Sequence, residues 1–330
     1  MNSLSLIVYG VLLRVEAEEP EFDSLIHQLR EDFRFFESPF LATPDAQLEI
    51  RPSTGKHAKM PAVFKTKMCR VHGWSLPRLC DYGDAQIFAT DARPGRRFIV
   101  GSENLELAYE ITFQLILSVL GESLDQLGFH RVHALGGRFQ GKSAIFLLPQ
   151  GGGKSALAWQ LLKHSDFFIA SDESPLLRRG ELFPFPMRGA LAPAVAAALT
   201  VSVPTRKFPR KIYPTKVLFE IPATKVMGSA KLNYVFIGVK SSASARIEPT
   251  TRARVYFELF KSLVVGIGLA QMGEHLLRLN RIPALLKVAF SRHREAWQVS
   301  QASQTFCLHY GDNALENEKI ILDFFQNFRT

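Results

Sequence analysis

Cysteine is scarce in this chain of 330 residues, which holds only Cys69, Cys80 and Cys307. An odd number of thiols with no metal-type spacing to the histidines excludes a disulfide framework and a zinc pattern, so reduced cysteines in a cytoplasmic setting are expected. Long apolar runs are missing as well. Residues 4–13 are apolar but too short for a bilayer, carry no basic leader and are interrupted at Tyr9-Gly10, so they read as a first strand. No other window reads as membrane-spanning, and no membrane is expected. Low-complexity blocks and internal repeats are absent, and charged residues at 22% argue against extended disorder. The most local absence is of acid. No Asp or Glu falls between Leu182 and Phe219, whereas Arg188, Arg206, Lys207, Arg210, Lys211 and Lys216 do. That segment seeks anions, in keeping with a net charge of +9 that favours a nucleotide, an acidic peptide, nucleic acid or a membrane surface. Aromatic residues do not interleave with these cations, so nucleic acid is not expected.

What is present is a hydrophobic content of 47%, ample for a buried core over roughly two domains, and one distinctive stretch at residues 144–175. An apolar run, Ala144-Ile145-Phe146-Leu147-Leu148, leads into Pro149-Gln150-Gly151-Gly152-Gly153-Lys154-Ser155, a helical segment, a second apolar run and then Asp172-Glu173. A strand that passes through glycines to a Lys-Ser opening a helix is the sequence form of a phosphate-binding loop. Gly151, Gly152 and Gly153 let successive N–H groups face one anion, the helix N-terminus adds its dipole, Lys154 adds a mobile charge and Ser155 offers a magnesium ligand. Leu148 stands where the usual G-x-x-x-x-G-K-[ST] pattern has its first glycine, and Pro149 follows it. The alternative is a glycine-rich strand-to-helix turn that binds nothing.

Taken in order, residues 1–102 read as β-rich, with short runs at 4–13, 47–50, 62–67, 86–90 and 97–100 and one helix over 19–36. A long helix over 103–128 opens the second part. A strand over 131–139 then turns through Gln140-Gly141-Lys142 into the run at 144–148. After the glycines, a helix over 154–164 and a strand over 167–170 complete a βαβ unit whose carboxyl end carries the acidic pair. A hairpin around Arg179-Gly180, a helix over 191–199 and a basic loop over 204–216 follow. Strands at 217–221, 234–239, 297–299 and 305–309, helices within 252–290 and a closing helix over 314–328 complete the chain. The fold class is α/β (α+β mixed), with a β-rich domain over 1–102 and a nucleotide-binding domain over 103–330.

Phosphoryl transfer needs a phosphate cradle, a magnesium ion held by hydroxyl and carboxylate, and a group that takes a proton from the acceptor. Asp172 and Glu173 suit the second and third roles, or are a solvated pair in a turn. His133 is a further candidate because its strand leads into the one before the glycines, although taken alone it reads as a core histidine. Lys207, Arg210 and Lys211 suit a clamp on a γ-phosphate or an acidic acceptor, or form a solvated loop.

The run from His133 through Asp172 resembles the bacterial HPr kinase/phosphorylase family, whose P-loop lies on a fold related to phosphoenolpyruvate carboxykinase. His133 falls on the family's catalytic histidine, Gly151, Gly153, Lys154 and Ser155 on its loop, and, with one inserted residue, Asp172 and Glu173 on its acidic pair. The resemblance covers about forty residues. Leu148 and Ala134 replace two of its glycines, and Pro184-Phe185-Pro186-Met187-Arg188 stands where its later glycine-rich signature belongs. The resemblance implies a P-loop kinase domain that uses ATP and Mg2+. Asp172 would act as base, His133 and Lys154 would stabilise charge, and Gly151 to Ser155 with Arg210 and Lys211 would bind the nucleotide. Ser155 and Glu173 would hold the metal. The acceptor implied is a serine of a protein or peptide, and a homo-oligomer is compatible with the reading. A nucleotide-binding regulator without catalysis and a small-molecule kinase are the alternatives.

Overall fold

Leu4, Leu6 and Val8 alternate with less buried neighbours, and so do Val11, Leu13 and Val15 after an interruption. Between the two runs Tyr9 and Gly10 both adopt positive φ, at 49° and 89°. That is the backbone of a tight hairpin turn. Residues 4–13 are therefore not one strand but parts of two, β1 (Ser3–Val8) and β2 (Val11–Ala17), paired antiparallel. The computed structural model describes residues 2–39, 42–53, 61–66, 68–91, 95–199, 203–208, 211–212, 214–269, 271–276 and 278–327.

The chain forms two compact units. The first comprises Met1–Leu127, Phe208–Lys216 and Ala270–Leu286. In it, β3 (Ala46–Arg51), β4 (Ala62–Lys65), β5 (Arg70–His72), β6 (Arg78–Asp81), β7 (Ala85–Asp91) and β8 (Arg96–Ser102) join the hairpin in one sheet of order β1-β2-β3-β8-β7-β6-β5-β4. The helices Asp23–Asp32 and Leu105–Gln126 pack against it and against each other. The second helix starts at Asn104, whose side chain accepts the Leu107 N–H at 3.0 Å. Among the described residues it is the one helix long and apolar enough to cross a membrane, which the sequence reading passed over. Most of its apolar window is buried.

That helix belongs with the first unit, so the division falls after Leu127 and not before residue 103. Later segments close the unit over it. The buried Glu110 carboxylate accepts the Lys211 and Ile212 N–H groups at 2.7 and 2.9 Å, and Ser118 Oγ accepts Met272 N–H at 2.8 Å. A buried carboxylate needs such donors.

The second unit comprises Gly128–Lys207, Val217–Leu269 and Lys287–Thr330. Its strands are β9 (His130–Arg131), β10 (Leu135–Phe139), β11 (Lys142–Leu147), β12 (Phe167–Ser171), β13 (Leu176–Arg178), β14 (Glu181–Phe183), β15 (Gly189–Leu191), β16 (Thr205–Phe208), β17 (Lys216–Phe219), β18 (Ala230–Lys240), β19 (Arg246–Pro249) and β20 (Gln304–Tyr310). A nine-stranded sheet runs β12-β10-β11-β18-β14-β13-β9, with β20 also on β18 and β19 on β20. At its centre β11, β18 and β20 are parallel. Parallel strands are covered on both faces, which accounts for their unbroken apolar runs. Ile145, Leu147, Val235 and Ile237 pack with Leu259, Leu263, Ala296 and Val299, while Phe146, Phe236 and Phe306 stack with centroid spacings of 4.7 and 5.5 Å.

Several expectations change. The strand read over 131–139 breaks into β9 and β10, and residues 132–134 lie between them. β12 pairs antiparallel with β10, so β10 separates the two parallel strands that the Lys154–Leu162 helix connects. The basic stretch is not all loop: β16 lies in it, in a small sheet of order β15-β17-β16. Residues 297–299 are helical, inside Ile282–Ala302, because burial of Ala296 and Val299 on one helix face outweighs the strand preference of Trp and Val. Residue 328 lies outside the described residues.

Candidate functional site

At the carboxyl end of β11 the chain must leave the sheet and enter a helix within a few residues. The glycines make that turn. Gly151 and Gly153 take positive φ, at 75° and 83°, and Gly153 is the N-cap of the Lys154–Leu162 helix. At Gly152 a Cβ would sit 2.7 Å from the Tyr310 hydroxyl and 2.9 Å from the Pro149 carbonyl oxygen, so the backbone passes where no side chain fits. The Gly152 N–H donates to Pro149 O at 2.9 Å and closes the turn. Lys154, Ser155 and Ala156 then supply the first helical N–H groups, which have no partners within the helix.

Lys154 curls back over this turn. Its ammonium donates to Leu148 O at 2.7 Å and Pro149 O at 3.1 Å. Burial lowers its pKa to about 8, against the opposing pull of the Glu173 and Asp172 carboxylates. Ser155 Oγ donates to Asp172 Oδ2 at 3.0 Å. Asp172 follows β12 and is buried; removal from water, reinforced by the neighbouring Glu173 charge, raises its carboxyl to about 7. Glu173, the next residue, is exposed. The structure therefore joins the loop hydroxyl to Asp172, where the sequence reading joined it to Glu173. The reason is local: Ser171 Oγ accepts the N–H groups of Glu173 and Ser174 at 3.3 and 3.0 Å. The turn so formed leaves Asp172 inside and Glu173 outside.

The backbone brings His133 to the acidic pair. Val132 N–H donates to Pro175 O at 3.0 Å and Ala134 N–H to Glu173 O at 3.1 Å, so residues 132–134 run beside 173–175. His133 N–H donates to Ser262 O at 3.3 Å, and its ring lies against Gly268, where a Cβ would sit 2.4 Å from Cδ2. Both ring nitrogens are buried without a hydrogen-bond partner among the described residues. Burial, and secondarily the Lys154 charge, lowers its pKa to about 4, so the imidazole is neutral at neutral pH.

No family model and no curated protein matches the chain. Two cavities flank the glycine turn. One of about 550 Å³ is lined by Gly151–Gly153, Ala156, Leu157, the Pro193–Leu199 helix and residues 308–317. The other, of about 290 Å³, holds His133 with Pro149, Gln150, Arg254, Glu258 and Lys261. Gly151, Gly152, Gly153, Lys154, Ser155, Asp172, Glu173 and His133 thus converge on one place. Of the remaining two, Lys211 belongs to the first unit, where its ammonium lies 3.4 Å from Glu106, and Arg210 lies outside the described residues. Arg254 and Lys261 were missed, because nothing in a helical Arg-x-Arg and a lone Lys marks them as neighbours of a turn a hundred residues earlier.

Proposed function

We propose that this site transfers the γ-phosphoryl group of ATP to a hydroxyl, a serine of a protein or peptide, on an HPr kinase-like P-loop domain. The observation that carries the reading is the 3.0 Å contact of Ser155 with the buried Asp172 beside a lysine folded onto the glycine turn. A hydroxyl and a carboxylate are the hard oxygen donors that magnesium takes, so Ser155 and Asp172 would hold it, with Glu173 next to them. The ion supplies charge neutralisation on the phosphates. Gly151 to Ser155 bind the phosphates through backbone N–H groups, and Lys154 leaves the Leu148 and Pro149 carbonyls to neutralise them. The larger cavity takes the nucleoside and the smaller one the acceptor. The acceptor oxygen forms the new bond to phosphorus, the bond to the β-phosphate oxygen breaks, and the acceptor proton passes to Asp172, whose carboxyl stands at about 7, with His133 stabilising charge beside it.

Calorimetry of ATP with magnesium, with ADP release followed in the same samples, tests this. The wild type binds and forms ADP slowly, and Lys154→Ala loses at least tenfold in affinity with its fold intact. An active Lys154→Ala protein would sink the assignment. The self-bound Lys154 ammonium favours a second reading, a nucleotide-binding regulator without catalysis. Binding with no ADP formed, even over a broad screen of acceptors, would select it.

A further inference from the structure

Aromatic side chains belong in cores, and the second unit leaves several outside. Phe257, Phe290 and Trp297 are 61%, 69% and 55% exposed, and Phe260 is partly so. They gather on one face. Tyr256, on the Arg252–Leu259 helix, has ring centroids of Phe257, Phe260 and Trp297 at 5.6, 6.3 and 5.8 Å. Its hydroxyl meets His293 Nδ1 at 2.9 Å, which joins this helix to Ile282–Ala302. Phe290 lies three residues before His293 and seven before Trp297, on the same side of that helix. A cluster of exposed aromatics of this kind marks a docking surface, and Trp and Phe are the residues that carry binding energy there.

Charge states what docks. Arg252, Arg254, Lys261, Lys287 and Arg294, on the same helical segments as the rings, are exposed. By helix spacing Arg294 neighbours both Phe290 and Trp297, and Lys261 neighbours Phe257. Only two acids occur in residues 252–267 and 287–302. Glu258 pairs with Lys261 at 2.7 Å, and Glu295 is buried, accepting the Arg179 and Gly180 N–H groups at 2.8 Å each. A second copy of this chain would bring one net positive face against another, so self-association is disfavoured. The face also leads inward. Arg254, Glu258 and Lys261 line the 290 Å³ cavity together with His133, a space that one inserted side chain uses and a bilayer does not.

We propose that the face formed by Phe257, Phe260, Phe290 and Trp297 docks a polypeptide that presents an apolar or aromatic anchor between acidic residues. Selection from a display library of random peptides on the full chain, without nucleotide, tests it. Enriched peptides carry an aromatic or aliphatic residue flanked by Asp or Glu, and fluorescence polarisation shows at least tenfold weaker binding to Phe257→Ser/Trp297→Ser. Lys287→Glu/Arg294→Glu, which keeps the rings, loses as much. Both variants keep the wild-type thermal melt and ATP affinity.

Absence of enrichment, or enriched peptides that bind the variants equally well, overturns the proposal. So does a wild-type dimer in sedimentation that dissociates in the ring variant, which assigns the face to self-association. Flotation on phosphatidylglycerol vesicles that the ring variant loses assigns it to a membrane and overturns the proposal too. Because peptide binding is read without nucleotide, failure of the kinase reading leaves this result standing, and the reverse also holds.

Discussion

Asp172 carries the sharpest residue-scale consequence. Its carboxyl is raised to about 7 from an ordinary value near 4. The folded state therefore holds a proton more tightly than the unfolded state does, and stability falls as pH rises through that window. Fully expressed, above pH 7, the penalty has an upper bound of roughly 4 kcal/mol. Asp172→Asn removes the charge and still accepts from Ser155. We expect it to stabilise the protein at pH 8 by about 2 kcal/mol in urea denaturation, with the gain shrinking as pH falls to 5, while magnesium-dependent ATP binding is lost. A stability difference independent of pH would remove the buried-carboxylate account.

At the scale of the element, the central strand β18 decides how firmly the site is held. Phe236 is fully buried in it and stacks between Phe146 of β11 and Phe306 of β20. β11 ends at the glycine turn, and β20 ends at Tyr310, whose hydroxyl approaches Gly152. Phe236→Ala should cost about 3–5 kcal/mol in chemical denaturation. The exposed Phe257→Ser should stay within about 0.5 kcal/mol of the wild type in the same assay. The hairpin turn at Arg179-Gly180 is as the sequence predicts, with φ of 53° and 75°. The hairpin at Tyr9-Gly10 was not read, because Tyr is an unusual residue at positive φ and the residues on both sides of the interruption are alike apolar.

For the whole molecule, the first unit is assembled from three segments. A fragment of residues 1–127 keeps the sheet and both helices but leaves Glu110 without the Lys211 and Ile212 N–H groups, and strips Phe208 from Tyr109, a ring contact of 4.9 Å. It also removes Glu274, which accepts from the Tyr82 hydroxyl at 2.6 Å. Such a fragment should show no cooperative melt by circular dichroism, whereas the full chain does. A sharp melt of the fragment would show that the later segments are dispensable.

Local chemistry settles what a few adjacent residues can do, and that much the sequence by itself determined. Glycines followed by Lys-Ser must turn and start a helix, an apolar run before them must be a buried strand, and Arg-Gly between two runs must reverse the chain. Only the tertiary structure decided which distant groups meet. His133 reaches the acidic pair through backbone bonds to residues 173 and 175, Asp172 and not Glu173 faces Ser155, and Lys211 closes the first unit over Glu110. Those pairings depend on sheet order and on burial across tens of residues, quantities that no local pattern encodes, whereas a turn or a cap is complete within a few.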